Sequence, residues 1–187
     1  MLATDPFPHF VIAGVLGEAE LGSLYAFFES TDLWEYTRTD FYTQYEFSLL
    51  HAALPEACGW INDAGIIAAL EKDFCRYFGE KSLKLTAVTA HKLTDGYRMG
   101  VHNDFLGGEE THRLVIQVNR NWSEDRGGFL MLFHSDQASD VARVVQPLNN
   151  SAMGFEISER SFHAVSTVHD FTRYTLVYTF AREDDGV

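Results

Sequence analysis

A mainly β domain preceded by helices is the fold that this sequence predicts, and three observations point to it. The apolar period changes after Lys81, from the spacing of helices to the alternation of strands. Phenylalanine and tyrosine number 15 and 8 among 187 residues, and such side chains favour strands. Turn signals such as Asp95-Gly96 and Gly127-Gly128 separate several short apolar runs, as in a β-sandwich or barrel. The chain is long enough for one domain with a sizeable core and short for two. We read residues 1–187 as a single domain, with a helical N-terminal cap over 1–82 and a strand-rich core over 83–182.

The elements follow in order. Residues 7–15 form a short extended apolar lead-in. Residues 18–30 read as a helix, with Leu21, Leu24, Tyr25 and Phe28 on one face. Pro55 and Gly59 break the chain, and residues 60–78 then read as a longer helix. Its apolar set includes Ile61, Ile66, Leu70, Phe74 and Phe78, and Gly79 stands just beyond it as a stop. Strands are expected over 83–93, 114–118, 129–133, 141–145, 152–157 and 174–180. Trp122 and Phe133 read as core.

Composition narrows the partners. A formal net charge of −13 repels phosphate backbones, so nucleic acid is disfavoured and a small molecule or peptide fits better. Cys58 and Cys75 make no C-x-x-C pair and read as buried thiols in a reducing compartment. The opening MLATDPFPHF lacks a basic start and a long apolar run, and no apolar stretch approaches a membrane span. A soluble cytoplasmic protein is expected.

Two of the eight histidines begin a His-x-Asp, at His102-Asn103-Asp104 and His134-Ser135-Asp136. On a strand, residues i and i+2 face the same side, so an imidazole and a carboxylate at this spacing converge on one ion. A second imidazole from a distant strand would leave the opposite side of the metal open. That is the two-His, one-carboxylate arrangement of non-haem Fe(II) oxygenases. Taken alone the motif is weak, and His134 with Asp136 reads as a solvated turn in the polar stretch 134–140. For the second imidazole, His163 and His169 are candidates. His163 is favoured, because Phe162, Ala164 and Val165 flank it and Arg173 follows a hairpin's length later. A guanidinium beside the apolar Tyr174, Leu176 and Tyr178 needs a partner, either Asp170 at the surface or the carboxylate of a buried 2-oxoacid.

At this point the chain resembles the prolyl-4-hydroxylase-like branch of the 2-oxoglutarate/Fe(II) oxygenases. The pieces are Val101-His102-Asn103-Asp104, Val118-Asn119-Arg120-Asn121-Trp122 running into Gly127-Gly128-Phe129-Leu130-Met131-Leu132-Phe133, then Phe162-His163-Ala164-Val165 and Arg173-Tyr174-Thr175. Asp95-Gly96-Tyr97-Arg98 is similar to the family's lead-in to its metal motif. The resemblance covers residues 83–182 well and the earlier part loosely. It implies a double-stranded β-helix (jelly roll, cupin-like) with helices on one sheet. It implies Fe(II) on His102, Asp104 and His163, and 2-oxoglutarate with its distal carboxylate on Arg173, assisted by Thr175. Dioxygen is then the third reactant. Leu93 stands where a tyrosine is common. Gln117 stands near another such tyrosine, where it can still donate to the cosubstrate. Because Asp104 retains the carboxylate that halogenating relatives lack, hydroxylation is the expected chemistry.

For the substrate, Glu109 and Glu110 read either as a solvated acidic loop or as partners of a cationic group. The aromatics of residues 34–47, namely Trp34, Tyr36, Phe41, Tyr42, Tyr45 and Phe47, read either as a lid wall or as packing against the sheet. A small molecule, such as an amino acid or derivative, is the leading substrate class, and a prolyl or other residue of a peptide is second. A non-oxygenase cupin or ligand-binding module is the reading from another class.

Overall fold

The computed structural model describes residues 1–40 and 42–183. Phe41 and the last four residues lie outside them. In chain order the strands are β1 (His9–Ala13), β2 (Glu35–Arg38), β3 (Thr43–Ser48), β4 (Leu83–Leu93), β5 (Met99–His102), β6 (His112–Gln117), β7 (Leu130–Phe133), β8 (Val141–Val145), β9 (Ser151–Glu156), β10 (His163–Val165) and β11 (Arg173–Arg182). The helices are α1 (Glu18–Ser30) and α2 (Ala64–Phe78). Seven strands form one antiparallel sheet in the order β1-β9-β6-β11-β4-β3-β2, and four form a second in the order β5-β10-β7-β8.

Alternation along β11 explains how the layers assemble. Tyr174, Leu176, Tyr178 and Phe180 point outward and join Leu24, Phe28, Ile61 and Phe74 in the cluster beneath the helices. Each such fully buried side chain contributes about 1.5–3 kcal/mol. Arg173, Thr175 and Val177, on the opposite phase, point between the sheets. There Leu93, Met153 and Phe155 of the large sheet meet Leu130, Leu132 and Val165 of the small one. Two antiparallel sheets facing each other across an apolar layer make the jelly roll.

The N-terminal half differs from expectation in two places. The second helix starts at Ala64, not at residue 60, because Asp63 caps it by accepting from the backbone N–H groups of Gly65 and Ile66 at 2.9 and 3.0 Å. A 3-10 turn over Glu56–Asn62 carries the preceding apolar residues. Its end is as expected: Gly79 takes a φ of 75° and its N–H donates to Cys75 O. Residues 1–82 are also less helical than expected, since β2 and β3 join the large sheet there, while β1 falls within the extended lead-in expected over 7–15. Trp122 is only partly buried; its Nε1 donates to Gly127 O at 2.8 Å and its ring meets Phe129 edge-on. Cys58 is buried and Cys75 half-buried, both as free thiols. Among the described residues no helix is long and apolar enough to cross a membrane.

Candidate active site

β5 ends on His102 and β10 begins on His163, and the antiparallel register sets the two residues opposite each other. Their ring centroids are 4.2 Å apart. His102 Nδ1 donates to Gly100 O at 2.9 Å, and His163 Nδ1 donates to Ser161 O at 2.7 Å. A carbonyl only accepts, so each proton is on Nδ1 and each Nε2 lone pair is directed at the site. Asp104 completes the group, with Oδ1 3.3 Å from His102 Nε2 and Oδ2 3.2 Å from His163 Nε2. The three ligand atoms lie within 4.8 Å of one another, the one such group of His, Cys, Asp or Glu among the described residues. Two imidazoles and one carboxylate suit a divalent iron and leave further coordination positions open.

Asp104 reaches this position by a different route from the one its spacing suggests. The strand has ended at His102, and Asp104 has a φ of 60°, a left-handed backbone that aspartate tolerates better than most residues. Burial raises the Asp104 carboxyl, but the neighbouring groups, led by the Arg113 guanidinium, outweigh it and hold it well below the usual carboxylate range. Burial, with His102 alongside, lowers His163 and favours the neutral ring that a metal needs. Arg113 donates through Nη1 to Asp104 Oδ2 and through Nη2 to Glu110 Oε2, both at 2.6 Å.

Behind the triad a narrow cavity of about 60 Å³ runs between the sheets, past His91, Thr175 and Val177, to Arg173. Arg173 is 4% exposed, and its Nε and Nη2 have no hydrogen-bond partner among the described residues. Burial pushes its pKa down to about 10, so it is still charged near pH 7. It does not pair with Asp170. Gly128 makes room for it: a Cβ there would stand 3.0 Å from Arg173 Cδ. On the solvent side the triad opens into a larger pocket of about 450 Å³, walled by Tyr42, Gln44 and Glu46 from β3 and its approach and by Phe105 and Leu106 from the loop after Asp104. A groove of about 440 Å³ between β1 and the helices is lined mainly by apolar side chains; its Asp73 and Arg76 pair with each other at 3.1 Å.

Residues 88–179, the stretch carrying the triad and Arg173, match the 2OG-Fe(II) oxygenase superfamily. The chain carries an oxygenase domain of that superfamily. This oxygenase shares its fold with a Pseudomonas putida prolyl-4-hydroxylase, at 18% identity and a TM-score of 0.72 over 94% of this chain and 92% of that one. It is similar in the same way to an oxidoreductase of the 2OG-Fe(II) oxygenase family from Burkholderia pseudomallei, at 17% identity and a TM-score of 0.71, over 94% and 86%. A third structure is a Trichoplax adhaerens prolyl hydroxylase in complex with a hypoxia inducible factor oxygen degradation domain peptide fragment, at 13% identity and a TM-score of 0.69, over 92% and 83%. No curated protein sequence matches the chain. The enzyme is a 2-oxoglutarate-dependent dioxygenase using Fe(II), 2-oxoglutarate and O2, which sets aside the non-oxygenase cupin reading. The donor set fits both groups: neutral imidazoles and a carboxylate for the metal, orphaned guanidinium donors for the cosubstrate.

The other residues singled out in the oxygenase's sequence fall as follows. Thr175 lines the inner cavity. Gln117, directly opposite Thr175 in the ladder, does not line it, and its Oε1 accepts from Asn119 Nδ2 at 3.0 Å. His134 is at the surface with Asp5 and Asp140, and His169 is exposed. Glu109 is exposed, whereas Glu110 is tied to Arg113. The aromatic segment divides: Trp34 and Phe47 pack under the helices, Tyr42 lines the outer pocket, and Tyr36 is exposed. Phe41 lies outside the described residues. The sequence reading missed Arg113, although its phase with Val115 and Gln117 assigns it to the inner face. It also missed His91, Gln44 and Glu46.

Proposed function

We propose that His102, Asp104 and His163 hold the oxygenase's Fe(II), that Arg173 with Thr175 binds the distal carboxylate of 2-oxoglutarate, and that the enzyme hydroxylates an unactivated C–H bond of a small molecule. The balance is R–H + 2-oxoglutarate + O2 → R–OH + succinate + CO2. The observation that carries this reading is Arg173, a buried cation with two nitrogens unpartnered among the described residues, lining the same cavity as His102, Asp104 and His163. An uncompensated buried charge is costly, and a carboxylate meeting the guanidinium fork relieves it. When bound, the iron and 2-oxoglutarate supply the activation of dioxygen. The chain's own groups orient the cosubstrate and exclude water from it. Gln117, outside the cavity lining, enters only as support beside Thr175.

The outer pocket of about 450 Å³ suits a small molecule, since such sites usually measure about 300–1,000 Å³. A prolyl or other residue of a peptide is the second reading, supported by the fold shared with prolyl hydroxylases, one of them bound to a peptide. The net charge of −13 speaks against nucleic acid, and two free cysteines suit a reducing, cytoplasmic setting. The test is anaerobic addition of Fe(II) and 2-oxoglutarate to the apoprotein. A visible charge-transfer band should form, and should be lost in Arg173→Ala and in His163→Ala. Metal binding without a band in the unmodified protein would overturn the assignment.

A further inference from the structure

The wall of the outer pocket on β3 is made of acceptors. Gln44 is 2% exposed, and its Nε2 donates to Glu46 Oε2 at 2.6 Å. A carboxylate accepts and cannot donate, which fixes the amide orientation. Gln44 Oε1 is then a buried acceptor with no donor among the described residues. Among the described residues no lysine or arginine pairs with Glu46. The basic group beside it is His91, with Nε2 3.9 Å from Oε2, and burial pushes that imidazole down to about 4, so it is neutral near pH 7. Arg113, the guanidinium lining the same pocket, is already committed to Asp104 and Glu110.

Across the ladder from Glu46 stands Glu35, a second carboxylate on the same face. Like charges directly opposite destabilise a strand pair, so folding alone gives no reason for the arrangement. The complement of a carboxylate and an orphaned carbonyl is a cation with several N–H donors and no acceptor. A protonated amine is such a group.

We infer that the substrate of this pocket carries a free ammonium group, held by the Glu46 carboxylate and the Gln44 side-chain carbonyl. The inference rests on the oxygenase reading of the triad and deepens it by naming the substrate class. Register gives the scale. Glu46 is paired with His91, and His91 with Thr175, so the nitrogen sits about two strand spacings, roughly 10 Å, from the β11 wall of the inner cavity. Gln44 and Glu46 line the same pocket of about 450 Å³ as His102 and Asp104, so the reacting carbon lies within the length of one small molecule from the nitrogen, as in amino acids and short amines. The ammonium is unchanged in the reaction.

The test uses the holoenzyme with Fe(II), 2-oxoglutarate and O2, and follows succinate. The probes are free L-amino acids and short alkylamines, each beside its N-acetyl derivative. At least one free amine should raise succinate formation tenfold or more, and its N-acetyl derivative should not. Glu46→Gln, which keeps the shape and removes the charge, should raise KM for that amine tenfold or more with a smaller change in kcat. An N-acetyl compound equal to its free amine would overturn the inference, as would an unchanged KM in Glu46→Gln. Formation of the Fe(II)–2-oxoglutarate band with no amine stimulating turnover would also overturn it, leaving the oxygenase site standing. Failure of the band itself would remove both. The acetylation comparison uses unmodified protein and so does not depend on the variant's folding.

Discussion

Replacing Arg173 with methionine removes a guanidinium that is 4% exposed and keeps an unbranched stem of similar length. In the apoprotein two of its nitrogens, Nε and Nη2, meet no acceptor among the described residues. Each buried polar group left unsatisfied costs about 1–3 kcal/mol. Some of that gain is offset by the space the head group leaves, so the variant should be more stable than the parent by about 1–3 kcal/mol. For a domain of this size that corresponds to a rise in Tm of about 2–10 °C. The response to cosubstrate should run the other way. With the metal site loaded with Mn(II) and 2-oxoglutarate at a hundredfold excess over its Kd, the parent gains about 2.7 kcal/mol by mass action, and the variant gains almost none. Thermal melts of both proteins, with and without 2-oxoglutarate, read the two effects together. A variant that melts below the parent would mean that Arg173 serves the fold, and a variant stabilised by 2-oxoglutarate as much as the parent would mean that the carboxylate binds elsewhere.

Two further substitutions test the surroundings. Arg113→Met leaves Asp104 facing two imidazoles without its guanidinium; breaking a buried pair costs about 3–5 kcal/mol, and at 18% and 15% side-chain exposure we expect nearer 1–3 kcal/mol in urea denaturation at pH 7. Because Asp104 is depressed in the folded protein, its contribution is present above the unfolded value near 3.9 and lost as pH falls through the folded one. The two stability curves should therefore converge below about pH 4, and a constant gap would refute the linkage. Gly154→Ala would set a Cβ 2.3 Å from the Phe10 ring, which packs against Phe74 and Tyr77; overpacking of this kind costs about 1–3 kcal/mol, visible as a lower denaturation midpoint.

Six of the eight strands of the second half were legible as short apolar runs between turn signals, and β11 was readable on both phases, whereas β5 and β10, of four and three residues, were not among the expected strands. His102, Asp104 and His163 were legible as residue types at a spacing, but the reason given for the spacing was incomplete. The strand stops at His102, and a left-handed residue then aims the carboxylate, which periodicity does not encode. β2 and β3 were hidden because their inner faces are polar, with Gln44 and Glu46 where a core strand would carry apolar residues. Arg113 was hidden for a related reason: on an inner face it looks like a surface residue until Asp104 and Glu110, on the loop between β5 and β6, supply its partners.

The order of strands in the large sheet separates two kinds of inheritance. Arg173 and Thr175 lie on β11, the middle strand of the seven, which pairs with β4 along its length and with β6 from Thr175 to Phe180. Gln44 and Glu46 lie on β3, one place in from the free edge. Exchanges on β3 disturb a single outer ribbon, so a lineage can change what it recognises there while the reactive centre stays constant. An engineer seeking a new substrate for this scaffold would randomise positions 42, 44 and 46 first and leave β11 untouched.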